Sequence, residues 1–96
     1  MSRRLTREEA RTLLSRGALV VDVRSEAEYA SGHAPGTLNL PMHLLPVLAS
    51  EQLPLDRSLV VCCHSGGRSA MAVQFLIRQG YEAHDLGPWT HHPDLT

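Results

Sequence analysis

Two short runs, Ala18-Leu19-Val20-Val21-Asp22-Val23-Arg24 and Ser58-Leu59-Val60-Val61-Cys62-Cys63, constrain this chain's fold more than anything else in it. Each is mainly apolar, rich in β-branched residues and free of helical spacing, the first ending in polar residues. A strand that is apolar on both sides must be covered on both faces, which is the condition of a parallel sheet inside an α/β domain. Helical patterns alternate with these runs. Thr6-Arg7-Glu8-Glu9 has capping-box spacing and predicts a helix over 6–16 stopped by Gly17, and Ser25-Glu26-Ala27-Glu28 repeats the spacing for a short helix ending near Gly32. After the turn Gly32-His33-Ala34-Pro35-Gly36, Thr37-Leu38-Asn39-Leu40 reads as a strand stopped by Pro41, and 43–51 reads as a helix. Arg68 to Gln79 predicts a helix with Ala72, Val73, Leu76 and Ile77 on its buried face, Met71 and Phe75 packing beside it, and Gln74 and Arg78 opposite. A last strand is expected over 83–86, before Gly87-Pro88-Trp89 and a polar tail at 90–96. The expected fold is therefore one α/β domain over 1–96, with its core at about 5–89 and a mostly parallel central sheet covered by helices on both faces. Such sheets place their sites at the carboxyl ends of the strands.

Composition narrows the function. The chain's 96 residues can bury one core without staples. Nine Arg, no Lys and ten acidic residues leave a formal net charge of -1, so no phosphate-tracking surface and no nucleic-acid partner are expected. No apolar run approaches the roughly 18 residues of a membrane span. The charged start, Met1 to Glu9, lacks the apolar stretch of a secretory signal, and the expectation is a cytoplasmic protein. The only cysteines, Cys62 and Cys63, are adjacent in a strand and point to opposite faces, which rules out a disulfide between them.

The chemistry gathers at 62–69. Cys63 ends a buried strand, His64-Ser65-Gly66-Gly67 form a polar loop, and a helix starts at about Arg68. Glycines allow consecutive N–H groups to turn toward a common centre, and a helix amino end adds partial positive charge, so the arrangement cradles an anion. The nearest anion is the Cys63 sulfur, and a thiolate there is a standing nucleophile that requires no separate general base. Cys62, one residue back in the strand, reads as a buried structural residue.

At these residues the chain resembles the rhodanese-like sulfurtransferases, whose signature is a catalytic Cys opening a Cys-x-x-Gly-x-Arg-Ser loop. Here the loop reads Cys63-His64-Ser65-Gly66-Gly67-Arg68-Ser69. Asp22-Val23-Arg24, Glu28-Tyr29, Gly32-His33-Ala34-Pro35-Gly36, Asn39-Leu40-Pro41 and Gly80-Tyr81 match the family's other blocks in order, so the resemblance covers about 5–89. The resemblance implies a substrate as well. Related phosphatases and arsenate-reducing enzymes carry a loop one residue longer, whereas this tighter loop suits a single transferred sulfur atom. The end departs from the family pattern, with Gly87-Pro88-Trp89 in place of a Gly-Gly pair followed by a Trp-bearing helix.

The remaining candidates read more plainly. Three consecutive residues, Cys62, Cys63 and His64, do not fit one tetrahedral shell, and no metal site or cofactor is expected. His91 and His92 read as a solvated tail, His43 as a helix surface residue, His33 as part of a turn and His64 as an exposed loop residue. Asp22 and Arg24 are expected to pair with each other or to brace the loop after Cys63. Two functional classes follow: a sulfur carrier that holds sulfane sulfur as a Cys63 persulfide, and a rhodanese-like module that binds a protein partner without catalysis. The intact loop favours the first. In that reading Cys63 attacks a small donor such as thiosulfate, the N–H groups from His64 to Arg68 stabilise the sulfur, Arg68 attracts the donor and Ser69 is a second hydrogen-bond donor. The acceptor is cyanide or a thiol, including a protein thiol or persulfide.

Overall fold

The computed structural model of the chain describes residues 3–95. Four strands, β1 (Leu19–Asp22), β2 (Thr37–Asn39), β3 (Leu59–Cys63) and β4 (Ala83–Pro88), form one sheet in the order β2-β1-β3-β4. All three pairings are parallel, with Val21 opposite Leu38 and Val61, and Val61 opposite Asp85. The helices are α1 (Arg7–Ser15), α2 (Glu26–Ala30), α3 (Leu45–Gln52) and α4 (Gly67–Arg78). Both predicted capping boxes are present: Thr6 with Glu9 at the start of α1, and Ser25 with Glu28 at the start of α2. Each satisfies two N–H groups that a helix start otherwise leaves unpaired.

The two-residue period of the strands sorts the core into two halves. Val21, Val23, Val61, Cys63 and Ala83 face α3 and α4, against Leu45, Ala49, Ala72, Val73 and Leu76. Val20, Val60, Cys62 and Leu86 face the other way, against Ala10, Leu13 and Leu14 of α1 and against Trp89. The sheet is thus covered on both faces, as its apolar runs require.

Three expectations are corrected. The buried stripe of α4 is Ser69, Ala72, Val73 and Leu76, a spacing of three and four that leaves Ile77 and Met71 exposed while Phe75 packs at the edge. The segment after 89 is only in part a solvated tail: two short 3-10 turns, Trp89–His91 and Pro93–Leu95, fold it back and bury His92 and Pro93, while His91 stays exposed as expected. Burial holds the His92 imidazole below its ordinary pKa, against the opposing pull of Asp94. Finally, β4 is longer than predicted, because the β3–β4 pairing shifts register between Val61 and Cys62 and carries the ladder on to Pro88. The shift places Asp85 and Gly87 beside the carboxyl end of β3.

Candidate active site

Cys63 is the last residue of β3, and its side chain lies on the α4 side of the sheet with the residue 1% exposed. The chain then leaves the sheet through His64 and Ser65, both exposed, and enters α4 at Gly67. Gly66 is the turning point. Its φ of 110° lies in the left-handed region, and a Cβ there would overlap the Arg4 guanidinium. Gly67 needs no such freedom, because it already sits in the helix with open space where a Cβ would go. Gly66 donates its N–H to Cys63 Sγ at 2.9 Å; of the N–H groups from His64 to Arg68 expected to cradle the sulfur, it is the one that bonds it here.

Ser69, the third residue of α4, lies beneath the sulfur. The Cys63 thiol donates to Ser69 Oγ at 3.4 Å, and Ser69 Oγ donates to Asp85 Oδ1 at 2.7 Å, with Gly66 O at 3.1 Å. Ser69, expected as a second hydrogen-bond donor at the site, gives its hydrogen to a carboxylate within the protein in this geometry. Asp85 accepts a second hydrogen bond from Gly87 N at 2.9 Å, and both Ser69 and Asp85 are buried.

Arg68, expected to attract the donor, is held by a partner within the protein. Its guanidinium makes two parallel bonds to the Glu28 carboxylate, Nη1 to Oε1 at 2.7 Å and Nη2 to Oε2 at 2.9 Å. The same Glu28 Oε1 accepts from Ser25 N at 2.9 Å through the capping box. Arg68 first and the Ser25 N–H second hold the Glu28 carboxyl well below its ordinary range. The motif arginine is therefore charge-compensated at rest. A second guanidinium, that of Arg4, lies over Gly66 and donates to Ser65 O at 3.0 Å, tying the N-terminal segment to the loop.

Asp22 and Arg24 do pair with each other: Arg24 Nη2 is 2.7 Å from Asp22 Oδ2, and Arg24 Nε is 3.0 Å from both carboxylate oxygens. They do not brace the loop after Cys63. Asp22 falls on the same side of the sheet as Val20, the face that holds Cys62. Arg24 instead reaches Glu28 O at 3.3 Å and Gly32 O at 2.8 Å and covers the Trp89 ring at 4.7 Å, which fixes the far end of α2. Cys62 is fully buried in that second core half, and desolvation first, then the Asp22 charge, pushes its thiol far above the ordinary value. Its neighbour is the one placed against a loop.

His33 stacks on Tyr29 with ring centroids 3.7 Å apart and bonds Tyr29 O, the turn role expected of it, while His43 and His64 are exposed. Among the described residues no group of three or more His, Cys, Asp or Glu could hold a metal ion, and no helix is long and apolar enough to cross a membrane. Asp85, Arg4 and the partnership of Glu28 with Arg68 escaped the sequence reading. Only Asp85 carried a signal, as a carboxylate inside a strand.

A parallel sheet covered on both faces, with a cysteine at the carboxyl end of a central strand and a glycine N–H aimed at its sulfur, defines a cysteine-loop α/β domain. The family model for the rhodanese-like domain matches residues 6–86, and the chain belongs to that family. It is 51% identical over 63 residues to a protein named sulfurtransferase from Allochromatium vinosum, an alignment covering 66% of this chain and 58% of the relative. It is 35% identical over 81 residues to the thiosulfate sulfurtransferase GlpE of Stutzerimonas stutzeri, covering 82% of this chain and 72% of the relative. Among solved structures, the human single-domain sulfurtransferase TSTD1 superposes with a TM-score of 0.72 at 30% identity, covering 88% of each chain. The chain thus spans less than two thirds of the length of the Allochromatium relative.

Proposed function

We propose that this domain is a sulfurtransferase that carries sulfane sulfur as a persulfide on Cys63. The observation that carries this reading is the Gly66 N–H, 2.9 Å from Cys63 Sγ in a short loop at the carboxyl end of β3. It is supported by the sulfurtransferase names of the relatives. The thiolate attacks the outer sulfur of thiosulfate, forming the S–S bond of the persulfide as the donor's own S–S bond breaks and sulfite leaves with that electron pair. An acceptor, cyanide or a thiol, then attacks the bound outer sulfur and Cys63 departs as the thiolate. The two half-reactions share one enzyme form and give ping-pong kinetics. The Gly66 N–H holds the sulfur in both states, as an oxyanion-hole donor does for oxygen. Persulfide donors and protein thiols fit the same two steps, and two free cysteines suit a reducing, cytoplasmic setting.

Arg68 attracts an anionic donor once its pair with Glu28 opens, and His64 and Ser65 line the exposed mouth. Asp22 and Arg24 support the site from a distance by fixing α2, and with it the Glu28 that meets Arg68. The test is intact mass spectrometry after thiosulfate treatment. Gain of one sulfur, lost again on addition of cyanide and absent in Cys63→Ser, is the expected result. An unmodified mass would favour the alternative, a rhodanese-like module that binds a protein partner without catalysis.

A further inference from the structure

Two carboxylates are buried, Asp22 at 0% and Asp85 at 2% exposed. Asp22 is neutralised by Arg24, but Asp85 has no salt bridge among the described residues. Its side chain faces Ser69, and Ser69 faces the nucleophile. A serine hydroxyl has one hydrogen to give. Of the two acceptors in reach, the carboxylate at 2.7 Å takes it in preference to the Gly66 carbonyl at 3.1 Å, because charge-assisted bonds are the shorter and stronger ones. The hydrogen bonds therefore run one way, from thiol to hydroxyl to carboxylate, through atoms that are all buried. In that direction the Ser69 lone pair, not its hydrogen, faces the sulfur.

We propose that Ser69 and Asp85 form an internal proton relay that acts as the base for Cys63. The proposal rests on the sulfurtransferase reading above and adds the fate of the proton. The Cys63 S–H bond breaks and its proton passes to Ser69 Oγ, while the proton of Ser69 passes to Asp85 Oδ1. The electron pair of the S–H bond stays on sulfur. Thiol and carboxylate become thiolate and carboxylic acid, with one proton and one negative charge conserved. The transfer also reverses the chain: Asp85 now donates to Ser69, and Ser69 turns its hydrogen toward Sγ beside the Gly66 N–H. When the acceptor removes the sulfur, the regenerated thiolate is already in its donor-rich state, and the reverse shift restores the thiol.

Other charges lie around this network: the exposed His64 in the loop after β3, Arg68 with Glu28 from α4 and α2, and Arg4 from the N-terminal segment, while Cys62, the Asp22–Arg24 pair and His84, whose register partner is Val60, belong to the other face of the sheet. Their hydrogen bonds run to other groups: Arg68 to Glu28, Arg24 to Asp22, Arg4 to Ser65 O and His84 to Glu82.

The test is the pH profile of Cys63 alkylation by iodoacetamide, a neutral reagent whose rate follows the thiolate. With a relay, the internally transferred form is a fixed fraction of the singly charged pair, so the rate levels off to a plateau as pH falls. Asp85→Asn keeps the hydrogen-bonding shape but cannot take the proton, and Ser69→Ala removes the hydroxyl that accepts from protonated Asp85 and donates to the thiolate, so the transferred form loses its stabilisation. In both variants the plateau disappears and the rate falls about tenfold for each pH unit. If Asp85 only repels the thiolate, Asp85→Asn reacts faster than the parent at low pH, and the relay is overturned. A parent profile with no plateau overturns it without any variant, should Asp85→Asn fail to fold. Sulfur uptake by mass is read separately: a plateau without uptake removes the carrier reading and leaves the relay, whereas uptake without a plateau removes the relay alone.

Discussion

Replacing Arg24 by Met tests how α2 is held and how the buried Asp22 charge is neutralised. The guanidinium is 3% exposed and its partner Asp22 0%. Asp22 receives Arg24 Nη2 at 2.7 Å and Nε at 3.0 Å, and the same guanidinium serves the carbonyls of Glu28 and Gly32. Met preserves much of the stem and its packing on Trp89, so removal of the cation–π attraction, about 0.5–2 kcal/mol, is the smaller effect. The larger one is the buried Asp22 charge left without a counter-ion, which costs about 3–5 kcal/mol. Against a total stability of about 5–15 kcal/mol for a domain, this is a large share. Each kcal/mol moves Tm by about 4–8 °C at this chain length, so a drop of more than about 10 °C is expected. Urea unfolding followed by far-UV circular dichroism measures it, with an unchanged m-value showing that the two-state comparison is fair. Asp22→Asn combined with Arg24→Met removes both charges and recovers at least half the loss. A loss below about 1 kcal/mol for Arg24→Met, or no recovery in the double variant, would refute the account of Asp22 as a charge that Arg24 must neutralise.

Cys63→Ser abolishes sulfur uptake, measured by mass, while the fold survives; Cys62→Ser retains most of the activity and loses stability from a hydroxyl placed in an apolar core. Glu28→Gln frees Arg68, so the reaction of Cys63 with thiosulfate speeds up more than its alkylation by iodoacetamide, and Arg68→Ala shifts the same rate ratio the other way. The Glu28 carboxyl lies below its ordinary 4.5 in the folded state, so its pair with Arg68 contributes stability that is present above that value and lost as pH falls through the folded one. Acid unfolding curves of Glu28→Gln are accordingly flatter below about pH 4.3 than those of the parent.

Local signals in the sequence were enough for the frame. Thr6 with Glu9 and Ser25 with Glu28 announce helix starts within four residues, and unbroken apolar runs announce buried strands. The cysteine loop is legible for the same reason, since its chemistry lies within seven consecutive residues. What could not be read is pairing across the fold. Arg68 and Glu28 stand 40 positions apart, Arg4 and Ser65 61 apart, and Ser69 and Asp85 16 apart. A periodic pattern says which face a side chain takes, not which partner waits there. That gap explains why the sequence shows Arg68 and Ser69 without their partners Glu28 and Asp85. The register shift between Val61 and Cys62, which brings Asp85 and Gly87 to the site, leaves no mark on the sequence at all.

The division of Cys62 and Cys63 between two core halves also decides how the protein meets oxidants. A thiolate carried to sulfenic acid is rescued most readily by a second thiol that condenses with it, after which the disulfide is reduced. Cys62 is the chain's only other thiol; it lies behind the sheet, with burial holding it protonated, so it cannot serve as that resolving partner. Recovery of an oxidised Cys63 must come from a thiol outside this chain, entering past His64 and Ser65. Under the sulfur-carrier proposal, a sulfur stored at Cys63 would act as a shield as well as cargo: oxidation would fall on the outer sulfur, and the cysteine would return intact when that sulfur is cleaved away.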